Sequence, residues 1–276
     1  MTPVHPEFVP DPSLSREAME QLQRDLAEVA VFEDDLGFEP TAVSVGSDET
    51  PSNDAEQTTL GTESEAEAPI VAGVDQAFVD GFSDETLAVS AIVAARGDEV
   101  VERVHAVEPT EIPYIPGLLS FREGGAILSA FEKLSVEPDL AVVDGSGRIH
   151  FRQAGIATHI GAMLDLPAVG VAKNLLCGRP REPLDEPLPG GARVAIEADA
   201  NVTAPEGTII GYAYQSRQYD NPQKRHVNPL YVSPGHRVSA ETTTDIVARL
   251  CAGYKLPEPT RLADSYADEV KAEVKE

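Results

Sequence analysis

The chain contains no tryptophan, only two cysteines, six lysines and no apolar run approaching 18 residues. Each scarcity closes a class. Cys177 and Cys251 cannot build a disulfide framework, and no C-x-x-C spacing offers a zinc site. Without a long apolar run there is no membrane-spanning helix, and no charged-then-apolar signal opens the chain. A cytoplasmic protein with no membrane partner is expected. Positive charge is scarce as well. The 276 residues hold 47 Asp and Glu against 21 Lys and Arg, a formal net charge of −26, and arginine outnumbers lysine 15 to 6. An acidic, lysine-poor chain of this kind suits concentrated salt, where screening confines repulsion between surface carboxylates to a few Å.

So negative a chain is, in sum, a poor partner for nucleic acid, because phosphate binding relies on cations that release counterions. The charge is uneven, however. Residues 1–68 carry 17 acidic and 2 basic residues, whereas 69–276 carry 30 and 19. Between Gly211 and Ser239, Arg217, Lys224, Arg225 and Arg237 stand against Asp220 alone, with His226 and His236 beside them. That basic strip is compatible with a strand of DNA or RNA, and equally with a solvated loop.

What is present is ample apolar residue, 42% of the chain, arranged in short runs. Residues 1–14, proline-bearing and aperiodic, predict a flexible arm. Ser15 can cap a helix running to about Phe32, with Met19, Leu22, Leu26 and Val29 at helical spacing, so 15–35 is expected to pack on the core. Residues 36–68 predict an acidic disordered insertion; 40–68 alone hold seven acids, no base and three large apolar residues. The folded body is expected over 69–263, and 264–276 reads as a charged tail. Within the body, Ile70–Phe78, Thr86–Ala95 and Val100–Ala106 predict successive strands, the last two joined at Arg96-Gly97-Asp98. Helical spacing over Gly124–Leu134, Ala154–Leu164 and Glu241–Leu250 alternates with strands at 140–144, 168–171 and 209–214. Antiparallel strands first, then alternating helices and strands, imply an α/β fold with a mixed central sheet flanked by helices.

Two of the apolar runs end in a lone aspartate: Ile70-Val71-Ala72-Gly73-Val74-Asp75, and Leu140-Ala141-Val142-Val143-Asp144 before Gly145-Ser146-Gly147. Either Asp can open a turn; together they can gather around a divalent cation. Between prolines, Tyr114 in Pro113-Tyr114-Ile115-Pro116-Gly117-Leu118-Leu119 is either a wedge on a rigid loop or a core aromatic. Glu123 can cap a helix or reach a metal. After Asp144 come Arg148, His150 and Arg152, then His159, read as a core histidine, and Lys173, which can meet a phosphate or stay on the surface. His236 in Val232-Ser233-Pro234-Gly235-His236-Arg237 reads as the end of a Pro-Gly turn, free to ligate a metal, move a proton or cap the turn.

Taken in order, V-A-G-V-D, P-Y-I-P-G-L-L-S-F-R-E, L-A-V-V-D-G-S-G-R-I-H, G-V-A-K-N-L-L-C-G and V-S-P-G-H-R-V-S resemble the endonuclease V family over about Pro69 to Asp264 and the helix at 15–32. With the composition, the resemblance suggests a halophilic archaeal source. It implies an RNase H-like fold and hydrolysis of the second phosphodiester 3′ to deoxyinosine, leaving 3′-OH and 5′-phosphate. It implies Asp75, Glu123 and Asp144 as ligands of Mg²⁺, with Mn²⁺ as substitute, and Lys173 and His236 as further catalytic residues. Tyr114 corresponds to the wedge, and Gly117, Leu119, Gly145, Gly147 and His150 to the base pocket. The implied partner is inosine-containing DNA, with inosine in RNA as the alternative, cut by a monomer. Gln76 and Phe151 depart from the pattern at positions assigned no role. A resolvase or flap-type nuclease of the same fold, and a silent nucleic-acid-binding module, are the rival readings.

Overall fold

A computed structural model describes residues 1–45, 68–80 and 86–275; the stretch 46–67, expected to be disordered, lies outside the described residues. Valine- and alanine-rich runs form the centre of the molecule. Strands β1 (Ile70–Asp80), β2 (Thr86–Arg96) and β3 (Glu99–Pro109) make an antiparallel meander. Two short strands, β4 (Leu140–Asp144), apolar up to its final aspartate, and the apolar β5 (Ala168–Ala172), lie parallel to β1, as buried strands do when helices cover both faces. Helix α2 (Leu119–Lys133) leads into β4, and α3 (Ile156–Leu164) joins β4 to β5. Four further strands follow, β6 (Arg179–Pro180), β7 (Arg193–Glu197), β8 (Ile209–Tyr214) and β9 (Leu230–His236). Among the described residues they complete one sheet in the order 3-2-1-4-5-9-8-7-6. The 3-2-1-4-5 portion, with β2 antiparallel, is the RNase H-like arrangement.

Alternation along the strands sorts the core into two layers. Ala72, Val74, Ala141 and Val143 face α2 and α3, with α1 (Arg16–Val29) behind them. Val71, Leu140, Val142, Val169 and Val171 face the opposite way, toward α4 (Ala240–Leu250). The last helix, α5 (Glu258–Val274), lies on that second side against β1 and β2. A Cβ at Gly73 would stand 2.0 Å from the Pro259 carbonyl oxygen, so only glycine lets the first turn of α5 rest directly on the strand.

Three expectations about the chain's outer parts need correction. Residues 1–14 are docked: the Met1 ammonium donates to the Phe131 carbonyl at 2.7 Å, the Val4 and His5 amides both reach the Met163 carbonyl, and Phe8 is buried. The beginning of the supposed insertion, 36–45, is ordered; Leu36, Phe38, Val43 and Val45 join the α4-side core, and four apolar side chains are enough to hold it. The charged tail is the outer half of α5, whose Ala263, Ala267 and Val270 form a buried stripe beneath the acids. The Pro-Gly turn before His236 is also not a turn. Pro234 and Gly235 sit within β9 where its register against β5 shifts, a bulge that tolerates a residue without an N–H. No described helix is long and apolar enough to cross a membrane.

Candidate active site

Parity places the first pair of carboxylates. Asp75 continues the Val71, Gly73 series on β1, and Asp144 continues the Leu140, Val142 series on β4. Val74 pairs with Val143, so the two aspartates follow side by side on adjacent parallel strands, about 4.8 Å apart along the hydrogen-bonding direction, on the α5 side. Lys173 extends Val169 and Val171 beyond β5 in the same way, and its Nζ donates to Asp144 Oδ2 at 3.1 Å. Glu123 arrives from α2, on the other layer, and is buried.

The electrostatics report how crowded this point is. Burial, the Asp144 carboxylate and then Asp264 push the Asp75 pKa up to about 8. Burial raises Glu123 to about 7; the adjacent Arg122 opposes the shift and the charge of Asp144 adds to it. Burial disfavours the Lys173 ammonium, but the carboxylates of Asp144, Asp75 and Asp264 outweigh it and raise its pKa. Asp264, on the first turns of α5, therefore belongs to the site, and sequence reasoning assigned it to the tail. Among the described residues no three His, Cys, Asp or Glu side chains form a ready metal cage. The donor set nevertheless suits a hard divalent cation: four carboxylates share one region, and burial raises the pKa of two of them, Asp75 and Glu123.

Beside the carboxylates lies a cavity of about 470 Å³. Asp144, Gly145 and Lys173 form one wall, and Tyr114, Gly117, Leu119 and His150 another. Tyr114 is 61% exposed, which excludes the core-aromatic alternative. His150 is buried and neutral: burial, then the Arg152 guanidinium, lower its pKa to about 3. Its Nε2–H donates to the Gly117 carbonyl at 3.1 Å and its Nδ1 accepts from the Arg152 amide at 3.2 Å. The Gly117 carbonyl accepts two more bonds, from Gln23 Nε2 and Arg152 Nη2, both at 3.0 Å. Gly117 itself sits at φ +82°, where a side chain would be strained. A helix remote in sequence thus fixes the loop that carries Tyr114, and Gln23 gave no sign of this beyond its place on the inward face of α1.

Two expected pocket donors are already engaged. The Gly145 amide donates to the Val171 carbonyl at 2.9 Å and the Gly147 amide to the Ser233 hydroxyl at 2.9 Å, and Gly147 is not among the residues lining the cavity. His236 is not at the site. It pairs with Ala168, at the start of β5, whereas Lys173 follows the end of that strand, about 17 Å away at 3.3 Å per residue. There its ring bridges the Val31 amide and Asp165, at 3.2 Å each, and serves packing. His159 is the core histidine expected, fully buried and bonded to the Phe8 carbonyl at 2.7 Å.

An RNase H-like sheet with carboxylates on its two central parallel strands, a lysine beside them and a cavity alongside has the parts of a phosphodiester-cleaving nuclease. The sequence profile of the Endonuclease V family matches residues 53–265. The chain is 63% identical to the Endonuclease V of Haloarcula marismortui over 275 residues, 99% of this chain and 98% of that one. It is 58% identical to that of Halobacterium salinarum over 269 residues, covering 97% and 98%. The crystal structure of Endonuclease V from Bacillus subtilis superposes with a TM-score of 0.74 at 26% identity, over 100% of this chain and 99% of that one. An Endonuclease V from Ciona intestinalis, solved with a 24mer DNA containing an inosine followed by a ribo-adenosine, shares the fold at a TM-score of 0.68, 21% identity and coverage of 94% and 98%. The chain belongs to the endonuclease V family. It is an endonuclease, a hydrolase of DNA phosphodiester bonds, in a family of metal-dependent nucleases.

Proposed function

We propose that the enzyme recognises deoxyinosine in DNA and hydrolyses the second phosphodiester on its 3′ side, leaving 3′-OH and 5′-phosphate. The observation that carries this reading is the single cavity joining Tyr114, Leu119 and His150 to Asp144 and Lys173, large enough for an extruded base beside a strand backbone. Tyr114, exposed on a loop braced at Gly117, fills the space the base leaves. Neutral His150 helps hold that loop rather than moving a proton. Asp75, Asp144 and Glu123, joined by Asp264, would hold Mg²⁺, with Mn²⁺ able to replace it. When bound, such an ion acidifies water and polarises phosphoryl oxygens. The carboxylates would hold it, and Lys173 exchanges Asp144 for the phosphate as charge builds on the reacting oxygens. The enzyme works in the cytoplasm as a monomer.

The test is cleavage of matched inosine DNA and inosine RNA strands with Mg²⁺, mapping the cut by gel. DNA cut at the second bond supports the proposal; faster cutting of the RNA assigns it to inosine-specific ribonuclease action instead. Asp144→Asn is expected to fold, bind the inosine strand and lose cleavage. Normal cutting by that variant would remove Asp144 from the centre.

A further inference from the structure

The end of the sheet that carries Asp75, Asp144 and Lys173 continues past them. Ala172 of β5 pairs with Tyr231 of β9, which pairs in turn with Ala213 of β8. The chain leaving β8 and the chain entering β9 therefore emerge beside Lys173, two strand spacings or about 10 Å along the sheet. Between them is a second hollow, of about 140 Å³, lined by Arg217, Gln218, Tyr219, His226, Asn228 and Lys255. In a chain with 47 acidic residues against 21 basic ones, none of the six is acidic. Among the described residues neither Arg217 nor Lys255 takes part in an ion pair. Burial, then the Lys173 ammonium, lowers the Lys255 pKa, in keeping with the shared face.

The hollow is held in shape by amides and a hydroxyl. Gln215 Nε2 donates to the Arg217 carbonyl at 2.6 Å and to Asn228 Oδ1 at 2.7 Å. Gln218 Nε2 donates to the carbonyls of His226 at 2.9 Å and Leu188 at 3.2 Å, and the Ser216 hydroxyl to that of Lys255 at 2.6 Å. Arg217 and Lys255 supply the cationic side chains of its lining.

We propose that this hollow is a second phosphate site, taking one backbone phosphate of the bound strand within about three nucleotides of the bond that is cut, at about 3.4 Å per nucleotide. The proposal rests on the nucleic-acid reading of the neighbouring cavity. A guanidinium fork and an ammonium lining one solvent-open hollow can bind a phosphate through short charge-assisted hydrogen bonds. Short contacts of this kind remain effective where salt screens longer-range attraction.

Binding of inosine and adenine strands, followed by fluorescence anisotropy in EDTA, tests the site across the KCl range in which circular dichroism shows each protein folded. Arg217→Gln and Lys255→Gln should weaken both strands alike, roughly three- to tenfold, and flatten log K against log[KCl] by about 1, whereas Arg217→Lys should retain most of the slope. A strand scanned with single neutral methylphosphonates should show one position, within about three nucleotides of the cut, that weakens binding by the parent but not by the variant carrying Arg217→Gln and Lys255→Gln together. Parent binding with unchanged variant slopes and no such position overturns the second site alone. A parent that fails to bind the inosine strand overturns the substrate reading and this site with it.

Discussion

Replacing Gln23 by alanine tests whether the N-terminal helix holds the lesion-facing loop. Gln23 is 1% exposed and makes three hydrogen bonds. It donates to the carbonyls of Gly117 at 3.0 Å and Ala154 at 3.3 Å, and accepts from Arg152 Nε at 2.8 Å. After truncation the Gly117 carbonyl keeps its bonds from His150 and Arg152, but the Ala154 carbonyl and Arg152 Nε lose these partners. Leaving a buried polar group unpaired costs about 1–3 kcal/mol, so the two together predict a loss of about 2–5 kcal/mol. For a domain of this size that lowers Tm by about 5–15 °C. The loop from Tyr114 to Gly117 would then be held from one side only, and preference for inosine over adenine in single-turnover cleavage should fall more than the cleavage rate at saturation. A Tm within about 1 °C of the parent would refute the energetic argument. A lower Tm with lesion preference intact would refute the coupling of α1 to the loop.

Other consequences can be checked with simpler variants. Tyr114→Ala should reduce discrimination for inosine several-fold while leaving Tm almost unchanged, because the ring is largely exposed; equal losses of stability and binding would instead mark a packing role. His236→Ala should destabilise the protein by about 1–3 kcal/mol through the unpaired Val31 amide, with the cleavage rate of the folded fraction preserved. Burial and neighbouring charge raise the pKa of Asp75 to about 8 and of Glu123 to about 7, so the folded state keeps protons that the unfolded chain releases near pH 4. Stability of the metal-free protein should therefore fall as pH rises from about 4 to about 8, and Asp75→Asn should flatten that decline in thermal melts with EDTA. An Asp75→Asn curve parallel to the parent's would show that the buried acid is not its source.

The central strands were legible because their chemistry is local. β1, β4 and β5 are short β-branched runs with a charged residue just past the apolar stretch, and the same alternation that buries Val71, Val142 and Val171 aims Asp75, Asp144 and Lys173 to one side. The prolines flanking Tyr114 marked a rigid loop but left the ring's place open, and only its exposure decides against the core. What escaped was decided by partners far along the chain. α5 hides a stripe of small residues under acids, and its approach to β1 depends on Gly73, so nothing near Asp264 announces its role. β9 was obscured by Pro234 and Gly235, which break a strand pattern unless a bulge accommodates them. The residues around His236 left its use open and the family resemblance made it a catalytic candidate, and only the pairing register sends it to the far end of β5. Residues 1–14 dock largely through backbone bonds, which leave no trace in side-chain periodicity.

The seating of α5 on Gly73 also bears on when the acid cluster is complete. Asp75 and Asp144 are brought together by the pairing of β1 with β4, both of which precede α5 in the chain. Asp264 leaves the ribosome only after the rest of the sheet, and reaches Asp75 only when α5 settles on β1. A nascent chain therefore carries an incomplete acid cluster through most of its synthesis. The charge that Asp264 exerts on Asp75 and Lys173 is thus in place only once the last helix has docked.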